Sequence, residues 1–222
     1  MIDIHTHILP GVDDGSQSFE QSIALIKEEI KQGVTHIVCT PHVISKEQKK
    51  SRAFHIEQFN KLKEMTKDLN IELILGAEIY HHDHMEINYD DYVFENTNIL
   101  LIEFSTVHKH DIETVAYNLQ AQGYQVIIAH VERYTYLDKS DYQKIRNTGA
   151  LLQVNASAIL GISKYANKKT VKYLIKHQLI DVVATDTHHI TRRPPNLKDA
   201  YLKLKKVYQS DLLEIIFHRI NF

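Results

Sequence analysis

Seven short runs rich in Ile, Val and Leu, at residues 1–5, 34–40, 71–77, 99–104, 125–130, 151–155 and 181–186, carry little charge in their interiors. Strands that are covered on both faces read this way, because neither face can tolerate a solvated side chain. Between the runs lie amphipathic stretches. In the first, Phe19, Ile23, Ile26 and Ile30 recur at helical spacing, Ser18 and Gln21 stand at capping-box spacing, and Gly33 follows as a stop. Residues 111–122 repeat the design, with Ile112, Val115, Ala116 and Leu119 on one face and Gly123 beyond the end. Further helices are expected near residues 52–69, 140–148, 163–177, 197–208 and 211–218. Seven cycles of strand and helix require a parallel sheet, either closed into a barrel or open and doubly wound.

The polar residues at the strand ends favour the barrel. His5, His7, Asp14, His42, Glu78, Glu103, His130, Asp186 and His188 mostly sit where a run gives way to a loop. A closed barrel gathers all strand ends around one mouth, whereas an open sheet spreads them along an edge. Alternate strand residues share a face, so Leu101 goes with Glu103, Val126 and Ile128 with His130, and Val182 and Ala184 with Asp186. Each of these polar residues is expected to continue an inward-pointing row. With 222 residues and 43% hydrophobic content, the chain is expected to form one domain over residues 1–222.

These residue types point to metal. His5-Thr6-His7 puts two imidazoles on one side of an extended segment, and Asp186-Thr187-His188 repeats the spacing with a carboxylate. Glu78 and Glu103 end apolar runs, where a buried carboxylate needs a partner or a cation. Imidazole and carboxylate without sulfur suit Mn²⁺, Fe²⁺ or Zn²⁺. Nine donors are too many for one ion, so two or three are expected, bridged by a carboxylate such as Glu78 or Asp186. Four clustered carboxylates without cations would repel one another.

Other function classes are disfavoured by composition. The net charge of −2, with both signs interspersed, creates no field for nucleic acid or an anionic membrane. The basic stretches 46–52 and 203–206 read as solvated faces. A single cysteine, Cys39, excludes an internal disulfide framework and a thiolate zinc cage, and suits a reducing cytoplasmic setting. Cys39 is no phosphatase nucleophile either, since Ser45 stands where that chemistry needs an arginine. No apolar run approaches the roughly 20 residues needed to cross a bilayer, and the first residues carry no signal-peptide pattern. The chain is expected to be cytoplasmic.

Several stretches together resemble the polymerase-and-histidinol-phosphatase (PHP) metal-dependent hydrolases, and within them the bacterial tyrosine-protein phosphatases of capsule and exopolysaccharide clusters. They are His5-Thr6-His7-Ile8-Leu9-Pro10 with Val12-Asp13-Asp14-Gly15, Thr40-Pro41-His42, Gly76-Ala77-Glu78, His130-Val131-Glu132-Arg133-Tyr134, and Asp186-Thr187-His188 leading to Arg193-Pro194-Pro195. The resemblance runs essentially end to end. It implies a distorted seven-stranded (β/α)7 TIM-like barrel holding three ions, commonly manganese. By the same resemblance His5, His7, Glu78 and Asp186 hold the first ion, and Glu78 is shared with Glu103 and His130 at the second. Asp14, His42 and His188 hold the third, the resemblance choosing Asp14 over Asp13. It also implies Arg133 and Arg193 as phosphate-binding groups, and as substrate the tyrosine-rich tail of an autophosphorylating bacterial tyrosine kinase.

The reaction expected is in-line hydrolysis of a phosphate monoester. Divalent ions acidify water, and phenolate, with a pKa of about 10, leaves more readily than an alkoxide. Two other readings are open at this stage: another PHP phosphoesterase, such as a histidinol-phosphate phosphatase or a nuclease, and a metal-stabilised regulatory protein without turnover. His81, His82 and His84 read as an exposed polar loop, His108 and His110 as helix-starting residues, and Tyr134 as a residue bordering the pocket.

Overall fold

The structure, a computed structural model, describes residues 1–44, 50–83, 85–220 and 222. Ser45, residues 46–49 of the basic stretch and His84 lie outside the described residues.

In chain order the elements are β1 (Ile2–Thr6), α1 (Phe19–Lys31), β2 (His36–Cys39), β3 (His42–Val43), α2 (Arg52–Met65), β4 (Glu72–Leu75), β5 (Glu78–Tyr80) and β6 (Ile99–Glu103). They continue with α3 (Ile112–Ala121), β7 (Gln125–Ile128), α4 (Lys139–Asn147), β8 (Leu151–Asn155), α5 (Ala156–Leu160), α6 (Lys168–Lys176), β9 (Val182–Ala184), α7 (Leu197–Leu204) and α8 (Ser210–His218). Each of the seven apolar runs contains a strand. Ser18 caps α1 by accepting from Gln21 N, but the capping box is half-formed, since the Gln21 side chain accepts from Gln17 N; Asp111 caps α3 by accepting from Thr114 N. α5 was not foreseen; it follows β8 directly and stops at Gly161, whose φ of 80° suits a residue without Cβ. The helix expected over residues 163–177 begins only at Lys168, because the Asn167 side chain caps it there by accepting from Lys169 N and Thr170 N.

All paired strands are parallel, but they do not form the single seven-stranded ring expected. They divide into a three-stranded sheet, β1-β2-β4, and a six-stranded sheet, β3-β5-β6-β7-β8-β9. The division falls where two runs break. Pro41 lacks the N–H that would carry β2 into β3. Between β4 and β5 stands Gly76, where a Cβ would lie 2.6 Å from the buried Phe94 ring. An isolated parallel pair, Thr6 with Thr187, joins the ends of β1 and β9, supported by His7 N donating to Thr187 O at 2.8 Å.

Alternate strand residues feed two apolar clusters. Ile2, Ile4, Val38, Ile74, Leu101, Ile127, Val182 and Ala184 pack together on one side with Phe94. Ile37, Leu73, Leu100, Ile102, Val126 and Ile128 pack on the other against helix residues such as Leu25, Leu62, Leu119 and Leu174. Burial on both faces explains the uncharged runs. No helix among the described residues is long and apolar enough to cross a membrane.

Candidate metal centre

The first two histidines owe their direction to a break in register. Asp3 pairs with Ile37 but Thr6 with Cys39, so β1 spends one residue more than β2 over this step. Such a bulge re-aims the side chains beyond it. Ile4 joins the inner cluster, yet His5 also turns inward, its Nε2 lying 3.1 Å from His7 Nε2. The bulge is braced from behind. Asp3 accepts from His5 N and Thr185 N, and Thr185 Oγ1 donates to its second oxygen. Glu29 of α1 completes this buried group, its carboxyl held well above the usual range by burial and by the charge of Asp3.

All nine sequence-selected residues converge on one site. Glu78 is central. Its Oε2 lies 3.2 Å from both His5 Nε2 and His7 Nε2 and 3.0 Å from His42 Nδ1, while Oε1 lies 2.9 Å from His130 Nε2. Glu103 stands 3.4 Å from His130 and 3.8 Å from His42. Asp14 joins His42 at 3.4 Å and His188 at 3.3 Å. Asp186 Oδ1 faces His5, His7 and His188 at 3.5–3.6 Å.

One alternation argument fails. Val126 and Ile128 belong to the outer cluster, whereas Ile127 and Ala129 face inward, so His130 should point outward if β7 stayed extended. It does not, because His130 adopts φ 32°, ψ 55°, a left-handed conformation that turns its ring toward Glu78. Asp186 also has positive φ, 54°. Two site residues thus hold backbone conformations rare for side chains with a Cβ, as strained functional positions often do.

Four residues support these ligands; the sequence reading named Asp13 and Gly15 only as part of a motif and passed over Gln153 and Asn155. Asp13 Oδ2 lies 2.8 Å from His7 Nδ1 and accepts from His42 N, fixing the first ring with Nε2 toward the site. Gln153 Oε1 accepts from His130 N and lies 3.2 Å from His5 Nδ1, while its amide donates to Asn155, whose own amide donates to Asp186 Oδ2. The signal for this chain was present in β8: Leu-Leu-Gln-Val-Asn puts two amides on one face of a strand buried on both. The fourth is Gly15. A Cβ there would lie 2.0 Å from the His7 carbonyl oxygen, so only glycine lets the loop press against His7.

Charge within the site is shared between carboxylates and imidazoles. Burial pushes Glu78 and Asp186 upward, but His5 and His42 around the first, and Arg133, His5 and Arg193 around the second, hold both well below the usual range. Glu103 is pushed up to about 8 by burial and by the charge of Glu78. Against burial, neighbouring carboxylates raise His7 to about 9 and His42 to about 12. His130 and His188 fall to about 4, mainly through burial. Protons on His7 and His42 therefore balance carboxylate charge that divalent cations would otherwise balance.

Arg133 and Arg193 approach from the other side. The 3-10 turn Val131–Arg133 carries Arg133 to Asp186 Oδ2, where both guanidinium groups and the Asn155 amide donate to one oxygen. Tyr134 packs behind the site: its buried ring meets that of His130 edge-on, 6.0 Å between centroids, and its hydroxyl oxygen accepts from Phe104 N. Of the set-aside histidines, His81 is half-buried against Phe104 and His110 rather than exposed. Cys39 is fully buried with its thiol pushed up by burial, as a core side chain.

The donor set fits cations. One atom each from His7, Asp14, His42 and His188 lies within 4.8 Å of the others, as do atoms of His5, His7 and Asp186, and of His42, Glu78 and Glu103. Glu78 Oε2 and His188 Nε2 are buried and make only close ion-pair contacts, none with hydrogen-bond geometry among the described residues, which a shared cation would satisfy. The family model for capsular polysaccharide synthesis proteins, CpsB/CapC, matches residues 1–221. The chain belongs to the CpsB/CapC family.

CpsB/CapC relatives align over nearly its whole length. Tyrosine-protein phosphatase CpsB of Streptococcus pneumoniae is 32% identical over 230 aligned residues, covering 98% of this chain and 95% of that protein. The putative tyrosine-protein phosphatase CapC of Staphylococcus aureus is 35% identical over 223, covering 94% and 86%. In three dimensions, the crystal structures of the metal-dependent tyrosine phosphatases YwqE of Bacillus subtilis and CpsB of S. pneumoniae match with a TM-score of 0.85 at 29% identity. That match covers 96% of this chain and 90% of the other.

Proposed function

We propose that this CpsB/CapC chain is a metal-dependent phosphoric monoester hydrolase that removes phosphate from phosphotyrosine in proteins. One observation carries the reading. One donor group overlaps a second through His7 and a third through His42, while two arginines gather on the far oxygen of Asp186.

We assign two to three divalent ions to the site, Mn²⁺ first, with Fe²⁺ and Zn²⁺ also suited to these ligands. His5, His7, Glu78 and Asp186 would hold one, Glu78, Glu103 and His130 a second, and Asp14, His42 and His188 a third. When bound, such ions acidify water toward neutral pH and neutralise charge on the entering and leaving oxygens. Arg133 and Arg193 orient the phosphoryl group through their planar, paired donors. Asp13, Gln153 and Asn155 hold the imidazoles and Asp186 in place. A phenolate leaving group, with a pKa of about 10, lessens the need for a dedicated general acid.

The substrate we assign is the tyrosine-rich tail of an autophosphorylating bacterial tyrosine kinase in the cytoplasm, a setting in keeping with the lone buried thiol of Cys39. The relatives' names support the phosphotyrosine part of that assignment. We take the two sheets, counting β2 with β3 as one broken strand and β4 with β5 as another, as one distorted seven-stranded barrel in a single domain over residues 1–222.

The test compares turnover of a phosphotyrosine peptide, histidinol phosphate and single-stranded DNA with and without Mn²⁺. The expected result is metal-dependent preference for the peptide. Preference for either alternative overturns the substrate, and absence of metal-dependent turnover leaves a regulatory protein. Arg133→Ala should lower turnover roughly hundredfold with metal content unchanged, as removal of a positioned donor does.

A further inference from the structure

The loop that leaves α5 carries a large aromatic ring to the rim of the site. It is anchored at both ends. Ile162 N and Ser163 N donate to Ser157 O at 3.0 and 3.1 Å, and Asn167 N donates to Glu132 O at 3.2 Å, beside Arg133. Within it, Tyr165 N donates to Ser163 Oγ at 3.2 Å. The Tyr165 ring lies over the Arg133 guanidinium, 5.6 Å from centroid to Cζ, with Lys164 Nζ 5.0 Å from the same centroid.

Arg133 thus has two neighbours of different kinds. It donates to Asp186 inside the site, and it meets Tyr165 toward solvent. Tyr165 remains 57% exposed, and Ile162 on the same loop 67% exposed. An anchored loop holding an exposed ring beside a phosphate-binding arginine leaves apolar surface where the organic part of a phosphate ester must emerge. Aromatic rings pack favourably on one another in offset or edge-on arrangements.

We propose that Tyr165 is a specificity-determining residue, its ring forming the wall on which the phenyl ring of phosphotyrosine packs while Arg133 holds the phosphoryl group. This rests on the phosphotyrosine reading above. An alkyl phosphate such as phosphoserine offers no ring to that wall, so Tyr165 favours aryl esters.

The experiment compares wild type, Tyr165→Ala and Tyr165→Phe, all loaded with Mn²⁺, on phosphotyrosine and phosphoserine versions of one peptide, with inhibition by inorganic phosphate measured alongside. Tyr165→Ala is expected to raise KM for the phosphotyrosine peptide about tenfold, the equivalent of one aromatic contact, with kcat within about twofold. The inhibition constant of phosphate and the turnover of phosphoserine should stay at wild-type values, and Tyr165→Phe should keep wild-type KM. An unchanged KM in Tyr165→Ala overturns the inference. So does an equal weakening of phosphate inhibition, because Tyr165 would then act only by holding Arg133. A wild-type enzyme that does not turn over the phosphotyrosine peptide refutes the underlying function instead.

Discussion

Asp13 and His7 are joined at 2.8 Å, Oδ2 to Nδ1, and the same carboxylate oxygen accepts the backbone N–H of His42. One side chain thereby fixes a ring and the start of a strand that both serve the site. Asp13 itself is drawn down to about 2, burial being outweighed by the charge of His7. Replacing Asp13 by Asn should weaken Mn²⁺ binding about 10–100-fold, the usual cost of losing such an outer partner. Calorimetric titration of metal-stripped protein measures it; wild-type affinity in the variant would deny Asp13 this role.

Gly15 offers a steric test of the same loop. A Cβ at that position meets the carbonyl oxygen, Cβ and carbonyl carbon of His7 at 2.0, 2.6 and 2.9 Å, and backbone cannot swing aside as a flexible side chain can. Gly15→Ala should destabilise the metal-free protein by on the order of 1–3 kcal/mol, as overpacking does, and also weaken metal binding. Urea unfolding and metal titration of the variant report the two effects separately. A wild-type unfolding midpoint would show that the loop has room to move.

Chelation should lower the melting temperature. A ligand bound only by the folded state stabilises it by about 2.7 kcal/mol at a hundred times its dissociation constant, and for a chain of this length each kcal/mol is worth about 2–4 °C. A fall of roughly 5–10 °C on adding EDTA is therefore expected, reversed by excess Mn²⁺. A melting curve indifferent to EDTA would mean that the nine side chains share no cation.

Far from these ligand groups in role, His55 of α2 should impose its own pH dependence. It is buried, its Nδ1 has no hydrogen-bond partner among the described residues, and burial together with the Arg52 charge lowers it to about 4. The folded state therefore prefers neutral His55. Between pH 6.5 and 4 the unfolded chain binds the proton and the folded one does not, so stability falls as pH drops through that window and is fully present above it. From pH 7 to 5 the contribution should be on the order of 1–2 kcal/mol, read as the difference between wild type and His55→Leu in urea unfolding. Equal pH slopes in the two proteins would refute it.

The fold was legible where periodicity reports burial directly. Each uncharged run contains a strand, and α1 begins at the cap that Ser18 announces. Less legible were features set by backbone conformation. Alternation assigned His130 to the row of Val126 and Ile128, and the left-handed turn at His130 reversed that assignment. The bulge before His5 leaves no mark in residue types, since Ile4 and His5 read as ordinary strand alternation. The breaks at Pro41 and Gly76 were visible as residues, but that they would divide the strands between two sheets depends on where Phe94, distant in sequence, packs. Of the site, the ligand types were plain because histidine and carboxylate at strand ends are costly without purpose. Asp13, Gln153 and Asn155 were not, because amides and an extra aspartate in a loop have many ordinary uses.

The bulge in β1 sets different tolerances for changing a residue and changing the count of residues. Between Asp3 and Thr6 the chain has one position more than its neighbour, and that surplus swings both imidazoles of the His-Thr-His segment toward Glu78. A substitution at Ile4 would alter the filling of the interior and leave the phase of everything downstream intact. Deleting that one residue would restore flush pairing with β2 and set His5 opposite Val38, in the interior place that Ile4 now fills, so that the imidazole would meet apolar neighbours while the sheet itself became more regular.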